Sequence, residues 1–189
     1  PWDKRLEVSN IGREHTLILN KYPVQLGHLL LITNTWEPQN GWLSLTDWKA
    51  VNSVDKDTSG LWFFNSSPEA GASQPHRHIQ LLRRKREEQT CPRDKWFHDQ
   101  INNNSGSLSN SCLVLARDFK YKSGSYINEL YFELCIQMGI GDPRRDNKPR
   151  APYNLIITKD WISIIKRSRE SFQGFSINAL GFAGYLLAT

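Results

Sequence analysis

Apolar residues in this chain arrive in short runs, each stopped by a turn-forming residue, and that spacing excludes most architectures at once. HTLILN (15–20) and GHLLLIT (27–33) are separated by KYPVQL with its proline, and GLWFFNS (60–66) and HRHIQLLR (76–83) by the turn-rich NSSPEAGASQP (65–75). Runs this short, rich in Leu and Ile and bounded by Gly, Pro, Asn and Ser, read as β-strands. None approaches the ~18 apolar residues that span a bilayer. Even INALGFAGYLLAT (177–189) is too short and too glycine-rich, so no membrane partner is expected.

Two stretches keep a helical period instead. SLTDWKAVNSVDKD (44–57) spaces Leu45, Trp48, Val51 and Val54 behind a Ser44 or Thr46 N-cap. GSYINELYFELCIQMG (124–139) repeats Ile127, Leu130, Tyr131, Leu134, Cys135 and Met138 before a glycine stop. SCLVLARDF (111–119) reads as a further strand, and NLIITKDWISIIKRS (154–168) as two strands around Lys159-Asp160. Residues 83–110 read as a polar excursion with a short helix around Lys95–Gln100, and GDPRRDNKPRAP (141–152) as a charged connector. The order predicts an α+β fold: one domain, with an antiparallel sheet and flanking helices.

A chain of 189 residues, 39% hydrophobic with seven Trp, can bury a sizeable core. Its three cysteines, Cys91, Cys112 and Cys135, form no CxxC pair; they fit a reducing cytoplasm and build no metal site. Net charge is +5, a mild bias towards anionic ligands. The chain opens on Pro1 without a leader pattern, so it is expected to begin inside a longer product.

GASQPHRHIQLL (71–82) carries the chemistry. If 76–83 is extended, His76, His78 and Gln80 share one face, while Arg77, Ile79 and Leu81 share the other. The loop before it holds Gly71, Ser73 and Gln74, small or polar residues whose backbone N–H groups suit an anion-binding concavity. Three readings fit the HxH spacing: hydrogen-bonded structural histidines, a metal site without a convincing third ligand, and an imidazole nucleophile for phosphoryl chemistry. The flanking loop favours the third. The basic run Arg83-Arg84-Lys85-Arg86 is balanced at once by Glu87 and Glu88, so nucleic acid is not expected as a partner.

HRHIQLL resembles the histidine-triad superfamily signature in the variant where Gln replaces the third histidine, which marks the nucleotidyltransferase branch. NSSPEAGASQPHRHIQLL, NKYPVQLGHLLLITNTWEPQ and APYNLIITKDWISIIKRS…INALGFAG together resemble the ATP adenylyltransferase (diadenosine tetraphosphate phosphorylase) family. The likeness runs from residue 15 to 185 apart from 83–110, and the first part of the family's N-terminal region is expected to be missing. It implies the HIT-like fold and cleavage of diadenosine tetraphosphate by phosphate to ATP and ADP, or the reverse. The catalytic strand would lie in 15–82 and the rest of the domain in 111–189. His78 would attack the α-phosphorus and carry AMP, His76 would orient the site through its carbonyl, and Gln80 would donate to a phosphoryl oxygen.

The resemblance further implies that Asn65, Ser66, Gly71, Ala72, Ser73 and Gln74 cradle the α- and β-phosphates. Lys21 and Lys166 would neutralise distal phosphates, and Asn154, Leu155 and Ile156 would lie in the substrate-contacting strand; Ile162 stands where the family has Met. Ligands would be diadenosine tetraphosphate, ATP, ADP and phosphate, with a divalent cation such as Mg accompanying the nucleotide; oligomeric state is left open. Hexose-1-phosphate uridylyltransferases carry Pro where this chain has Arg77, and the hydrolytic branch carries His where it has Gln80. A non-catalytic nucleotide sensor is the alternative of a different class.

Overall fold

The short apolar runs are strands, and they pair into one antiparallel sheet. The computed structural model describes residues 2–58, 60–85, 87–104, 114–118 and 123–186. The strands are β1 (Glu7–Ile11), β2 (His15–Leu19), β3 (His28–Thr33), β4 (Gly60–Asn65), β5 (His78–Arg83), β6 (Val114–Asp118), β7 (Tyr153–Ile157) and β8 (Trp161–Lys166). Their spatial order is β1-β2-β3-β5-β4-β7-β8-β6. A short hairpin, β9 (Ser171–Phe172) and β10 (Phe175–Ser176), stands outside the sheet. The helices are α1 (Leu45–Val54), α2 (Asp94–Asn104), α3 (Gly124–Gln137) and α4 (Ala179–Phe182). This is the α+β sheet with flanking helices that the element order predicts.

Alternation along the strands divides the core in two. Helices α1 and α3 bring Trp48, Val51, Ile127 and Tyr131 onto one face, against Leu31, Ile79, Leu81, Leu155 and Ile164. On the other face α2 and α4 bring Phe97 and Leu180 against Leu61, Phe63, Ile156, Trp161 and Ile165. Helix α1 starts at Ser44, not Thr46: the Asp47 N–H donates to Ser44 Oγ at 3.2 Å, and the Asp47 carboxylate accepts the Ser44 N–H at 2.7 Å. That reciprocal pair satisfies two backbone donors which would otherwise lack partners. Leu45, expected on the buried stripe, is exposed.

Three elements differ from the sequence expectation. Strand β1 was not anticipated; it is a mostly exposed edge with a register shift against β2, so no apolar alternation announces it. The 83–110 stretch is more than a polar excursion, because α2 is longer than the helix expected there. Phe97 stacks on Trp161 with ring centroids 4.2 Å apart, which carries the segment into the core. Residues 105–113 and 119–122, with Cys112 and the ends of the predicted 111–119 strand, lie outside the described residues, as does Arg86. Third, β5 begins at His78. His76 forms only an isolated bridge to Pro38, which has no N–H with which to extend a ladder. Among the described residues no helix is long and apolar enough to cross a membrane.

Candidate active site

Strand β5 lies between β3 and β4, and its pairing fixes which side chains meet. Ile79 and Leu81 enter the helix-covered core, while Gln80 is opposite Leu30 on β3 and Phe63 on β4, with His78 opposite Ile32. The predicted juxtaposition of His78 and Gln80 is present. His76 is not on that row: its Nε2 lies 2.9 Å from Thr33 Oγ1 and 3.2 Å from the Thr35 carbonyl, and its ring packs on exposed Trp36. What His76 contributes is its carbonyl, 2.8 Å from His78 Nδ1.

Backbone groups dictate the tautomers. A carbonyl can only accept, so His78 Nδ1 carries the proton and Nε2 keeps a bare lone pair. Burial pushes the His78 pKa below the ordinary imidazole value, which keeps the ring neutral at pH 7. His28, missed in the sequence reading, is set the opposite way. The Val24 N–H and the Asn20 amide both approach its Nδ1, at 3.4 and 3.1 Å, so Nδ1 accepts and Nε2 carries the proton. That proton points at Gln80 Oε1, 2.9 Å away. With its carbonyl oxygen engaged, Gln80 is left to present its NH2 on the face where His78 stands. Burial lowers the His28 pKa as well, so this donor is neutral too.

A second missed residue, Gln39, joins β5 to the loop before it. The β4–β5 ladder stops at Phe63 and Gln80, and beyond that point the buried Gln39 amide replaces its rungs. Gln39 Oε1 accepts the His78 N–H at 2.8 Å, while Nε2 donates to the Asn65 carbonyl at 2.8 Å and the His78 carbonyl at 3.2 Å. No sequence signal marks this glutamine; only the pairing of distant strands does.

The predicted cradle is narrower than expected. Residues Pro68–Ala70 form a 3-10 turn closed by Gly71 at φ 88°, a conformation that favours glycine. The N–H groups of Ala70, Gly71 and Ala72 are spent on the Ser67 and Pro68 carbonyls, because a turn this tight satisfies its own donors. Exposed Ser73 and Gln74 keep N–H groups with no partner among the described residues. Asn65 and Ser66 hold the loop from beneath: Asn65 Oδ1 accepts from Asn154 and the Ala179 N–H, and Ser66 Oγ accepts the Tyr153 N–H.

Other predicted contacts move out of a ligand's reach. Strand β7 is interior, paired on both edges, and Asn154, Leu155 and Ile156 are fully buried, so they support the site from within. Lys166 shares the α1/α3 face with Ile162 and Ile164, and its Nζ donates to the Gly139 carbonyl beyond α3. Alternation puts it on the wrong side of the sheet for a phosphate near His78. Lys21 stays close to the site: it follows Asn20, the partner of His28, and its Nζ lies over the exposed Tyr22 ring.

Behind His78 lies a charged network. Arg77, between the two histidines, points to the helix face, where Nη1 is 3.4 Å from Asp47 Oδ2. His15 Nε2 meets Asp47 Oδ1 at 2.7 Å. Burial alone raises the Asp47 pKa; the His15 hydrogen bond, the Ser44 backbone and the Arg77 charge outweigh it, and the net shift is downward.

Comparison with known proteins is consistent with this geometry. Residues 1–98 match the Ap4A phosphorylase N-terminal domain, and residues 95–189 match the ATP adenylyltransferase C-terminal domain. Protein APA1 of Saccharomyces cerevisiae is 27% identical over 201 residues, covering 93% of this chain. Diadenosine 5',5'''-P1,P4-tetraphosphate phosphorylase 2 of the same yeast is 25% identical over 201 residues, covering 92%. The chain spans 62% of the length of each of these two relatives. The crystal structure of yeast Ap4A phosphorylase Apa2 in complex with AMP shares the fold, with a TM-score of 0.74 at 23% identity over 96% of this chain and 68% of that one.

Proposed function

This chain belongs to the family of Ap4A phosphorylases and ATP adenylyltransferases, and on that premise we propose that it cleaves diadenosine tetraphosphate with phosphate, giving ATP and ADP. The observation that carries the reading is the pair of opposed tautomers: a bare His78 Nε2 beside a Gln80 amide that can only donate. His78 Nε2 attacks the α-phosphorus, the bond from that phosphorus to the bridging oxygen breaks, and ATP leaves with the electron pair. Phosphate then attacks the His78-bound adenylyl group from the opposite side, the P–N bond breaks, and ADP departs. The proton stays on Nδ1, donated to the His76 carbonyl, throughout.

Gln80 cannot shuttle a proton, and none is needed, because both the leaving group and the acceptor are phosphate anions. Its NH2 steadies the charge that develops on the phosphoryl oxygens. Ser73, Gln74 and Lys21 are assigned to the phosphates, and a divalent cation would travel with the nucleotide's own oxygens. A cytoplasmic location suits this substrate, and the buried free thiols Cys91 and Cys135 suit a reducing compartment.

Product identity tests the reading. Incubation with diadenosine tetraphosphate should give ATP plus ADP, and only with phosphate present. AMP plus ATP formed equally fast without phosphate would mean water is the acceptor and would overturn phosphorolysis.

A further inference from the structure

Two buried arginines flank the site, and their partners differ. Arg77 has the Asp47 and Glu37 carboxylates within ion-pair distance. Arg167 is 8% exposed, and every oxygen it touches is neutral. Nη1 donates to Asn154 Oδ1 at 2.7 Å and to the Ile177 carbonyl at 2.5 Å; Nη2 donates to the Arg169 and Glu170 carbonyls at 2.6 and 3.1 Å. The Glu170 carboxylate instead bonds Ser176 on the exposed hairpin. Among the described residues no carboxylate lies within ion-pair distance of Arg167, and the Phe182 ring beneath it supplies no charge. A guanidinium stays protonated at neutral pH even when buried, so this is a fixed charge with no bonded counter-ion among the described residues; the Glu170 charge acts on it only through space.

Its position gives that charge a direction. Arg167 follows Lys166 by one residue and therefore faces the opposite side of the sheet, the side of His78 and Gln80. Because Asn154 Oδ1 accepts from Arg167, the Asn154 NH2 must point the other way, and it holds both Asn65 Oδ1 and the Ala70 carbonyl at 2.7 Å. Those are the two ends of the loop that leads to Ser73 and Gln74. The arginine is thus wired to the floor of the anion cradle without reaching into it.

A buried charge left unpaired is costly, and the cost is relieved when an opposite charge arrives nearby. We propose that Arg167 is a positioning residue and fixed positive charge for the polyphosphate: it orders the 65–74 loop through Asn154 and makes the site favour ligands of higher negative charge. The proposal rests on the reading of this site as a nucleotide phosphate site. It also replaces Lys166 by its neighbour as the cation that serves the phosphates from this strand.

Binding of adenosine, AMP and ATP to the purified chain, followed by titration calorimetry, separates charge from mere structure. In the wild type, affinity should rise from adenosine to AMP to ATP. Arg167→Met should weaken ATP by about 10-fold, the scale for unit charges roughly 10 Å apart at an effective dielectric near 20, and leave adenosine within about 2-fold. Arg167→Lys keeps the charge and loses the clamp, so its ATP-to-adenosine ratio should stay within about 3-fold of wild type even if melting falls. Should Arg167→Met fail to fold, the Lys variant decides alone: a ratio that collapses with charge retained overturns the proposal. Equal weakening of ATP and adenosine in Arg167→Met overturns it too, while leaving the site reading intact. A wild type that binds neither AMP nor ATP overturns both.

Discussion

His15 and His28 sit on neighbouring strands, each only 3% exposed, yet they meet opposite chemistry. On the face covered by α1 and α3 His15 meets a carboxylate, and Asp47 ties it to Arg77 and to the cap of α1. On the other face His28 meets an amide, and no carboxylate bonds to His28, His78 or Gln80 among the described residues. A carboxylate holds an imidazole by a hydrogen bond within a network that also includes an arginine. An amide leaves it neutral and receives from it only an orientation, which Gln80 passes on as a donor. Around these two imidazoles, then, the bonded carboxylate is on the side of α1 and α3, and the side of His78 and Gln80 is set by amides and carbonyls.

The strongest way to break this contrast is His78→Ala. Loss of a covalent nucleophile should lower single-turnover cleavage by ~10⁴-fold or more while ATP binding survives. A rate within tenfold of wild type would remove the His78 face from the chemistry.

Asp47→Ala attacks the other face and should be a stability lesion. Leaving Arg77 and His15 buried beside an empty position should cost about 3–5 kcal/mol in urea unfolding. Turnover per folded molecule should fall less than tenfold; a catalytic loss with unchanged stability would reverse the roles of the two faces.

Gln80→Ala is the mirror image. Deleting one transition-state donor should lower kcat by ~10²–10³, and since Gln80 is only half-buried, the unfolding midpoint should barely move. If stability drops and kcat does not, β5 is out of register by one residue, and the His78 assignment fails with it.

The smallest effect is on pH. Burial lowers both His78 and His28, so the acid limb of kcat should lie below the ordinary imidazole pKa of about 6.5. The folded protein takes up these protons less readily than the unfolded chain. Their contribution to stability is therefore complete above about pH 6.5 and drains away as pH falls through the lowered folded values. Activity and urea midpoints measured between pH 5 and 8 check both parts; an acid limb above 6.5 would contradict a neutral nucleophile.

Local pattern made the strands from β2 onward in the main sheet and helices α1 and α3 legible, because burial on a sheet or against a helix imposes a period that the chain must show. The His78–Gln80 pair was legible for the same reason: alternate residues of one strand share a face. Most of the differences at the site are relations between strands. Lys166 is the phosphate cation that the resemblance implies, and the family likeness does not say which face a strand's last residue takes. His28 and Gln39 became visible only once β3, β4 and β5 were paired. Gly71 and Ala72 looked like free donors, whereas the turn they build consumes their N–H groups.

The pairing of β4 with β7 has a consequence for how the chain is made. Strand β4, GLWFFN, is buried along its whole length, and its outer edge is satisfied only by residues 153–157. During synthesis the first five strands can assemble while β4 is still an apolar edge, the kind of template that recruits other chains. A ribosome adding ~5–20 residues per second leaves that edge uncovered for several seconds before Tyr153 emerges. Truncation after the first half should therefore yield aggregates rather than a small folded domain, and the chain should depend on holdase chaperones for that interval.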